Sequence, residues 1–492
     1  MNSASPYFDN SQYKKASDAS LKVLLGPVIG KTTCYSTRIL VEFNKAEQVT
    51  CVLQASNDTR SLTLTAIPNV PIVFAFDNLQ PKTSYRVGLS VPLPVESSSF
   101  TTLREDNDNP GNLRTAIVSC NDVSYQYKKS TSKDLWRHIG KQVRAHSLDY
   151  VFHIGDQVYM DMADKDKTKH LYGECQKILL ATPKENWNSK IPELIKLLRT
   201  QYHNTWTQPT EAYVLANVPN LMICDDHEFR DDWGFNPDDY KAGTLDHFYG
   251  ELVRRLYYEY QRQLREDIPW EDLASMKCEY FHEVLNGVGV SFMEYRGARS
   301  WFREHELNKT HIGKAQKEWL ESLYKKGGEF EQLNSTIFIS PLPLFILNKL
   351  NSNVAYHVSD DIQEYWTYRS IPQLVELLEL LRAWKERKAG KEIIVVGGDV
   401  HLGGITDVMY KGRKIFTQFV SSGISQKEIG VFEKGVFFFL MKFGRVNDDY
   451  TFRHHGWTRK NNFGILNVMT DSKGSRMTPT VCVGKEPKSC SG

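Results

Sequence analysis

Four places in this 492-residue chain set side chains able to ligate a metal directly behind a short apolar run. Cys120 follows Thr115 to Ser119. Asp156 and Tyr159 follow Leu148 to Phe152, inside His153-Ile154-Gly155-Asp156-Gln157-Val158-Tyr159. Asp225-Asp226-His227-Glu228 follows Leu221 to Cys224, and Asp399 with His401 follows Ile393 to Val396. A β-type run that stops at Gly-Asp reads as a buried strand ending in a tight turn. Its carboxylate then lies at the strand's C-terminal edge, where α/β folds keep their active sites. Each segment alone is a common turn pattern, but four in succession predict one metal centre, because carboxylates can bridge two ions and imidazole is a frequent ligand. Asp399 and His401 are two apart, so extended backbone past Gly398 would turn both side chains to one side. A helix opened by the turn after Asp156 would bring the Tyr159 phenol round to that carboxylate.

The elements that must hold these groups fall into two regions. From Leu21 to Leu103 the chain shows seven short β-type runs (Leu21 to Leu25, Arg38 to Phe43, Thr50 to Leu53, Leu62 to Ile67, Ile72 to Phe76, Tyr85 to Leu89, Ser99 to Thr102) separated by turn residues. That spacing predicts a small β-sandwich over residues 21–104, after a polar, loose arm at 1–20. The charged, Asn-rich joint Arg104 to Arg114 contains a Pro-Gly turn and predicts the boundary. Beyond it strands alternate with helices, which makes residues 114–475 an α/β domain, with 476–492 as a C-terminal tail. Helices are predicted over Ser132 to Ser147 with Ser132 as N-cap, over Thr244 to Glu266, and from Ser370-Ile371-Pro372 to Ala389-Gly390.

Composition excludes several classes. Lys plus Arg number 61 against 59 Asp plus Glu, a formal net charge of +2, so no field favours nucleic acid or an anionic membrane. The eight cysteines are dispersed without C-x-x-C pairs, against both a disulfide framework and a structural zinc site. The first thirty residues lack the apolar core of a signal peptide, and no apolar run is long enough to span a bilayer. The expectation is a cytoplasmic protein acting on a small molecule.

The ordered motifs resemble the calcineurin-like metallophosphoesterase superfamily and, within it, the PhoD-like alkaline phosphatases. Gly155-Asp156 matches the superfamily's Gly-Asp motif. Asp225-Asp226-His227-Glu228 stands in the Gly-Asn-His-Asp/Glu slot with Asp226 in place of Asn, and Gly398-Asp399-Val400-His401 stands in the Gly-His-x-His slot with Asp in place of the first His. Those replacements are similar to the PhoD-like branch, as is Ser119-Cys120 where the superfamily has Asp-x-His. Gly-Asp-x-x-Tyr also resembles purple acid phosphatases, whose Gly-His-x-His ending this chain lacks. The stretch Leu79 to Val87 resembles the turn and Tyr strand of fibronectin type III-like domains, and PhoD-like enzymes carry a β-sandwich before the catalytic domain. The fold so implied is a metallophosphoesterase αββα sandwich behind a fibronectin- or immunoglobulin-like one.

The resemblance implies metal-dependent hydrolysis of phosphate esters, mono- or diester. It implies Cys120, Asp156, Tyr159, Asp226, Asp399 and His401 as metal ligands, and His227 as the group acting on developing charge or on the leaving oxygen. Arg299, in Glu294-Tyr295-Arg296-Gly297-Ala298-Arg299, is the candidate phosphate clamp; Glu294 replaces the Asp usual there. Thiolate and phenolate are anionic donors suited to ferric iron, so Cys120 and Tyr159 around Asp156 suggest Fe3+. The oxygen-rich remainder suits a harder divalent ion, for which the resemblance implies Ca2+; Zn2+, Mn2+ and Mg2+ stay open. The competing readings are a phospholipase D-like phosphodiesterase on the same fold, and a non-catalytic scaffold with a degenerate phosphatase domain.

Overall fold

The computed structural model describes residues 20–105, 112–126, 134–162, 170–273, 276, 279–297, 311–346, 366, 370–426, 443–471 and 474–484. The N-terminal arm expected at 1–20 falls almost wholly outside these, as do Ser132, Arg299 and the middle of the joint.

Seven strands form the N-terminal sandwich. Val23–Thr32, Thr37–Phe43 and Ile72–Phe76 make one sheet, and Gln48–Gln54, Thr59–Thr65, Ser84–Leu89 and Ser99–Thr101 the other. Alternate residues of the two sheets (Ile39, Val41, Phe74, Val49, Cys51, Leu53, Tyr85, Val87) meet in a shared core, the period-2 burial that a two-faced strand requires. The Tyr85 hydroxyl accepts from Gln80 N at 2.9 Å and donates to Asp58 Oδ2 at 2.6 Å, fixing the turn before its own strand.

The rest of the chain is mixed α/β, two sheets packed face to face between helices. Five strands run in the order Asn220–Ile223, Tyr150–Ile154, Leu113–Val118, Asn462–Asp471, Gly474–Val483. The larger sheet has eight: Phe281–Leu285, Val288–Phe292, Ser335–Ser340, Glu392–Gly397, Arg413–Ser421, Gly403–Tyr410, Tyr450–Thr458, Phe443–Arg445. Ile117, Phe152, Ile154 and Ile223 from the first meet Val290, Phe292, Ile339, Ile394 and Val396 from the second. Each such fully buried side chain contributes about 1.5–3 kcal/mol. The outer face of the five-stranded sheet is covered by Leu135–Arg144 and Pro209–Asn217, and that of the eight-stranded sheet by Lys314–Tyr324 and Ile371–Glu386. In the last helix Leu374, Leu377, Leu378, Leu381 and Trp384 are buried at 3–4 spacing, and Pro372 sits in its first turn, where it lacks no needed donor. Among the described residues no helix is long and apolar enough to cross a membrane.

Several expected boundaries move. The strand before Asp156 is Tyr150–Ile154 rather than Leu148 to Phe152, because it pairs in register with Leu113–Val118. The helix expected from Ser132 spans Leu135–Arg144; Asp134 caps it by accepting from Arg137 N, and His146 at φ 51 breaks it. The helix from Thr244 ends at Tyr260, six residues early, and that from Ile371 ends at Glu386. In the former, tertiary contacts override local propensity: Gln263 O accepts from Arg38 Nε and Gln263 Nε2 donates to Pro71 O, both in the sandwich. The tail expected from 476 begins instead as a strand, Gly474–Val483, paired along its length with Asn462–Asp471. It is the edge of its sheet, the position where a proline such as Pro479 is best tolerated.

The sandwich is not a loose appendage. Leu25, Val28 and Leu40 join one core with Leu198, Tyr202, Leu256 and Tyr260 of the helices beside the site. Glu42, with no exposed surface, accepts from Tyr260 Oη at 2.6 Å and lies 2.9 Å from His203 Nε2. Glu42→Ala leaves a buried phenol unsatisfied and is expected to lower stability by about 1–3 kcal/mol. A urea midpoint unchanged from the parent protein would show that this contact does not join the two units.

Candidate metal centre

Three parallel strands of the smaller sheet and four of the larger end on adjoining edges. Cys120 follows Leu113–Val118, Asp156 follows Tyr150–Ile154, the Asp225 to Glu228 turn follows Asn220–Ile223, and Asp399 and His401 follow Glu392–Gly397. The turns are unusual. Cys120, Asp156, Asp399 and His401 have φ of 57, 58, 61 and 54, in the left-handed region that non-glycine residues seldom enter. Such conformations cost about 1–3 kcal/mol each and gather at functional sites. They also replace the expected geometry: no strand continues past Gly398 and no helix opens after Asp156. Left-handed turns do the aiming instead. Gly155, at φ 115, lies so close to Asp225 that an added Cβ would be 2.7 Å from the Asp225 Cβ.

Asp156 is the vertex. Its Oδ2 lies 3.4 Å from Cys120 Sγ and 3.4 Å from Tyr159 Oη, and Tyr159 Oη is 3.4 Å from His401 Nε2. These four expected ligands therefore surround one point. On its other side, Asp156, Asp226 and His227 offer ligand atoms within 4.8 Å of one another, as do Asp225, Asp226 and Asp399. The structure thus brings together every expected ligand. Arg299 lies outside the described residues.

The electrostatics fit a cation. Burial, with Cys120 and Asp226 nearby, holds the Asp156 carboxyl well above its ordinary range. Burial and then the Asp399 charge push the Cys120 thiol up to about 11, and burial and Cys120 raise the Tyr159 phenol. His401 is lowered to about 4 by burial and by His227, so its imidazole is neutral, the form a ligand needs. Bare negative charge is disfavoured at each anionic donor of this wall, and a bound cation would reverse that preference. Burial also acts to raise Asp226, but Arg296 and His227 overcome it and hold this carboxyl low.

The supporting groups explain the shape. Glu228 is a brace: its Oε2 accepts from Asp156 N (3.0 Å) and Asp225 N (2.7 Å), and its Oε1 from Gln157 N (2.7 Å). His227 Nδ1 is 2.9 Å from Asp161 Oδ1, its ring stacks on Tyr159 at 4.1 Å, and its Nε2 lies 3.7 Å from Asp231 Oδ1. Burial works to lower the His227 pKa, yet the carboxylates of Asp161 and Asp226 carry it well above 6.5. Arg296, buried, pairs through Nε with Asp225 Oδ1 and sits 3.3 Å by Nη2 from Asp226 Oδ1. Glu294 Oε1 accepts from Gly297 N within its own turn. His153 is packed in the strand against Asn220, and Trp233 is packed against Gly250 and Phe229.

The sequence gives no role to Asp161, Arg296, Ser422 or Gln426. Gln426 Nε2 donates to Tyr159 Oη at 2.9 Å and lies 3.2 Å from His401 Nε2. The signal was available: Ile415 to Val420 is a β-type run ending at Ser421-Ser422-Gly423, the same strand-then-turn pattern, without the residue types that announce a metal.

A sequence profile of the PhoD-like phosphatase family matches residues 115–478. No curated protein sequence matches the chain. Among solved structures, one described as the structure of PhoD is similar at 15% identity, covering 96% of this chain and 92% of its own, with a TM-score of 0.64. A second, GAP50, the anchor in the inner membrane complex of Plasmodium, is similar at 9% identity over 76% of this chain and 85% of its own; its TM-score of 0.36 carries no weight here. With the profile covering residues 115–478, most of its length, this chain belongs to the PhoD-like phosphatase family.

Proposed function

We propose that this protein hydrolyses phosphate esters at a metal-loaded centre whose ligands are Cys120, Asp156, Tyr159, Asp226, Asp399 and His401, with His227 acting on the leaving oxygen. The observation that carries the reading is the position of Asp156, with a thiol, phenol and imidazole wall on one side and Asp226 and His227 on the other. Fe3+ suits the first side and Ca2+ or another hard divalent ion the second. Bound ions there would supply Lewis acidity toward phosphoryl oxygens and a nucleophile from water.

The chain's own residues do the rest. Arg296 holds the Asp225–Asp226 pair in place against its mutual repulsion. Asp161 fixes the His227 tautomer and, by its charge, favours the imidazolium, so His227 enters the reaction able to give a proton through Nε2. The acid form is lost as pH rises through the raised His227 value, so turnover falls on that alkaline limb. Asp161→Asn removes the largest of the charges that raise it, leaving Asp226. The limb is expected to move to lower pH and kcat to fall; a limb that stays in place would mean that another group is the proton donor. Rates on paired chromogenic mono- and diesters test the reaction itself. A metal-loaded protein that turns over neither would leave a binding role in place of catalysis.

A further inference from the structure

The loop after Arg413–Ser421 grips three members of the thiol, phenol and imidazole wall, and Ser422 is its pivot. With Cys120 as the thiolate that a ligand requires, its sulfur has no hydrogen to give, so the Ser422 hydroxyl is the donor between the two. His401 N donates to Ser422 Oγ at 2.8 Å, so the oxygen is the acceptor in that bond, and its own hydrogen must point elsewhere. Cys120 Sγ lies 3.0 Å from the same oxygen. The other hydroxyl near that sulfur, Ser119 Oγ at 3.4 Å, donates to Ser421 O at 3.2 Å. Ser422 has no exposed surface, and its peptide is clamped from both sides: Ser422 N donates to Asn462 Oδ1 at 3.2 Å, and Asn462 Nδ2 donates to Ser422 O at 2.5 Å. A buried hydroxyl held this way has few other directions to point.

We infer that Ser422 is a positioning residue that donates its O–H to the Cys120 sulfur while receiving the backbone N–H of His401, and so sets both the place and the donor strength of the thiolate toward the metal. The inference rests on the proposed function, in which Cys120 and His401 are ligands. A hydrogen bond to a ligating thiolate lowers the energy of its lone pairs and tunes the metal, and losing such a partner costs about 10–100-fold in metal affinity. Ser425, in the same loop, is the natural control: its Oγ donates to Asp122 O at 3.2 Å.

The test uses the full-length protein stripped of metal and reloaded with iron(III), or with cobalt(II), whose thiolate charge-transfer band lies in the near ultraviolet. Ser422→Ala is expected to move the band to lower energy and to weaken metal binding by about 10–100-fold. Ser422→Thr, which keeps the hydroxyl, should return toward the parent band, and Ser425→Ala should leave it in place. If Ser422→Ala does not fold, the unaltered protein still decides: the metal–sulfur stretch in resonance Raman should shift on transfer to D2O, since the hydroxyl proton that Ser422 shares with the sulfur exchanges. An unshifted band in Ser422→Ala, an equal shift in Ser425→Ala, or a stretch insensitive to D2O would overturn the inference. A reloaded parent protein with no thiolate band would instead sink the assignment of Cys120 as a ligand, and this inference with it.

Discussion

Asp156→Ala is expected to lose bound metal and turnover together, whereas His227→Ala keeps its metal and loses roughly 10²–10⁴-fold in turnover. The difference follows from where each side chain sits. Asp156 touches the thiol and the phenol through one oxygen and shares a ligand group with Asp226, so its removal opens both sides of the centre at once. His227 has committed Nδ1 to Asp161 and stacked its ring on Tyr159, which aims its other nitrogen for the proposed role of acid. An interaction made mainly in the transition state lowers kcat without emptying the site. His227 is nevertheless within ligand distance of Asp156 and Asp226. Metal analysis of both variants separates the roles: equal metal loss would make His227 a ligand and move the proton donor elsewhere.

The second large effect is on colour. Thiolate and phenolate bound to ferric iron give ligand-to-metal charge transfer in the visible range, so the iron-loaded protein is expected to be coloured. Cys120→Ser should remove the sulfur component and Tyr159→Phe the phenolate component, each variant retaining the other. Both side chains are buried and pushed toward their neutral forms by burial and by nearby acidic groups. Only a strong cation reverses that, which is why the band reports on ligation and not merely on proximity. Metal uptake must then release protons, and affinity should rise with pH. Active protein that is colourless and carries zinc or manganese without iron would refute the iron assignment while leaving phosphoester hydrolysis untouched.

Much of this centre was legible because its chemistry sits in residue types that rarely follow strands by accident in such number. Gly155-Asp156, Asp225 to Glu228 and Gly398 to His401 each mark a strand end, and the parallel pairing of those strands turns four separate signals into one place. The sandwich strands were legible for a similar reason, since period-2 alternation between turn residues leaves little freedom. What sequence could not supply was geometry set by tertiary contact. The left-handed backbone at Cys120 and His401 is imposed by neighbouring turns, and local propensity speaks against it. The early end of the helix after Thr244 depends on Arg38 and Pro71, some two hundred residues away in the chain. Ser422 and Gln426 were passed over because a serine and a glutamine announce nothing until the sulfur and the phenol beside them are in view.

The central claim is that the gathered ligands hold metal for phosphoester hydrolysis. Its most direct test is a steady-state rate on a chromogenic phosphate ester measured as the purified protein is depleted of metal and then reloaded with iron and calcium. Turnover that disappears with the metal, returns with reloading and is absent in metal-reloaded Asp156→Ala is the expected result. Protein that is fully reloaded, binds metal in the parent but not in Asp156→Ala, and still turns over neither a monoester nor a diester would contradict it.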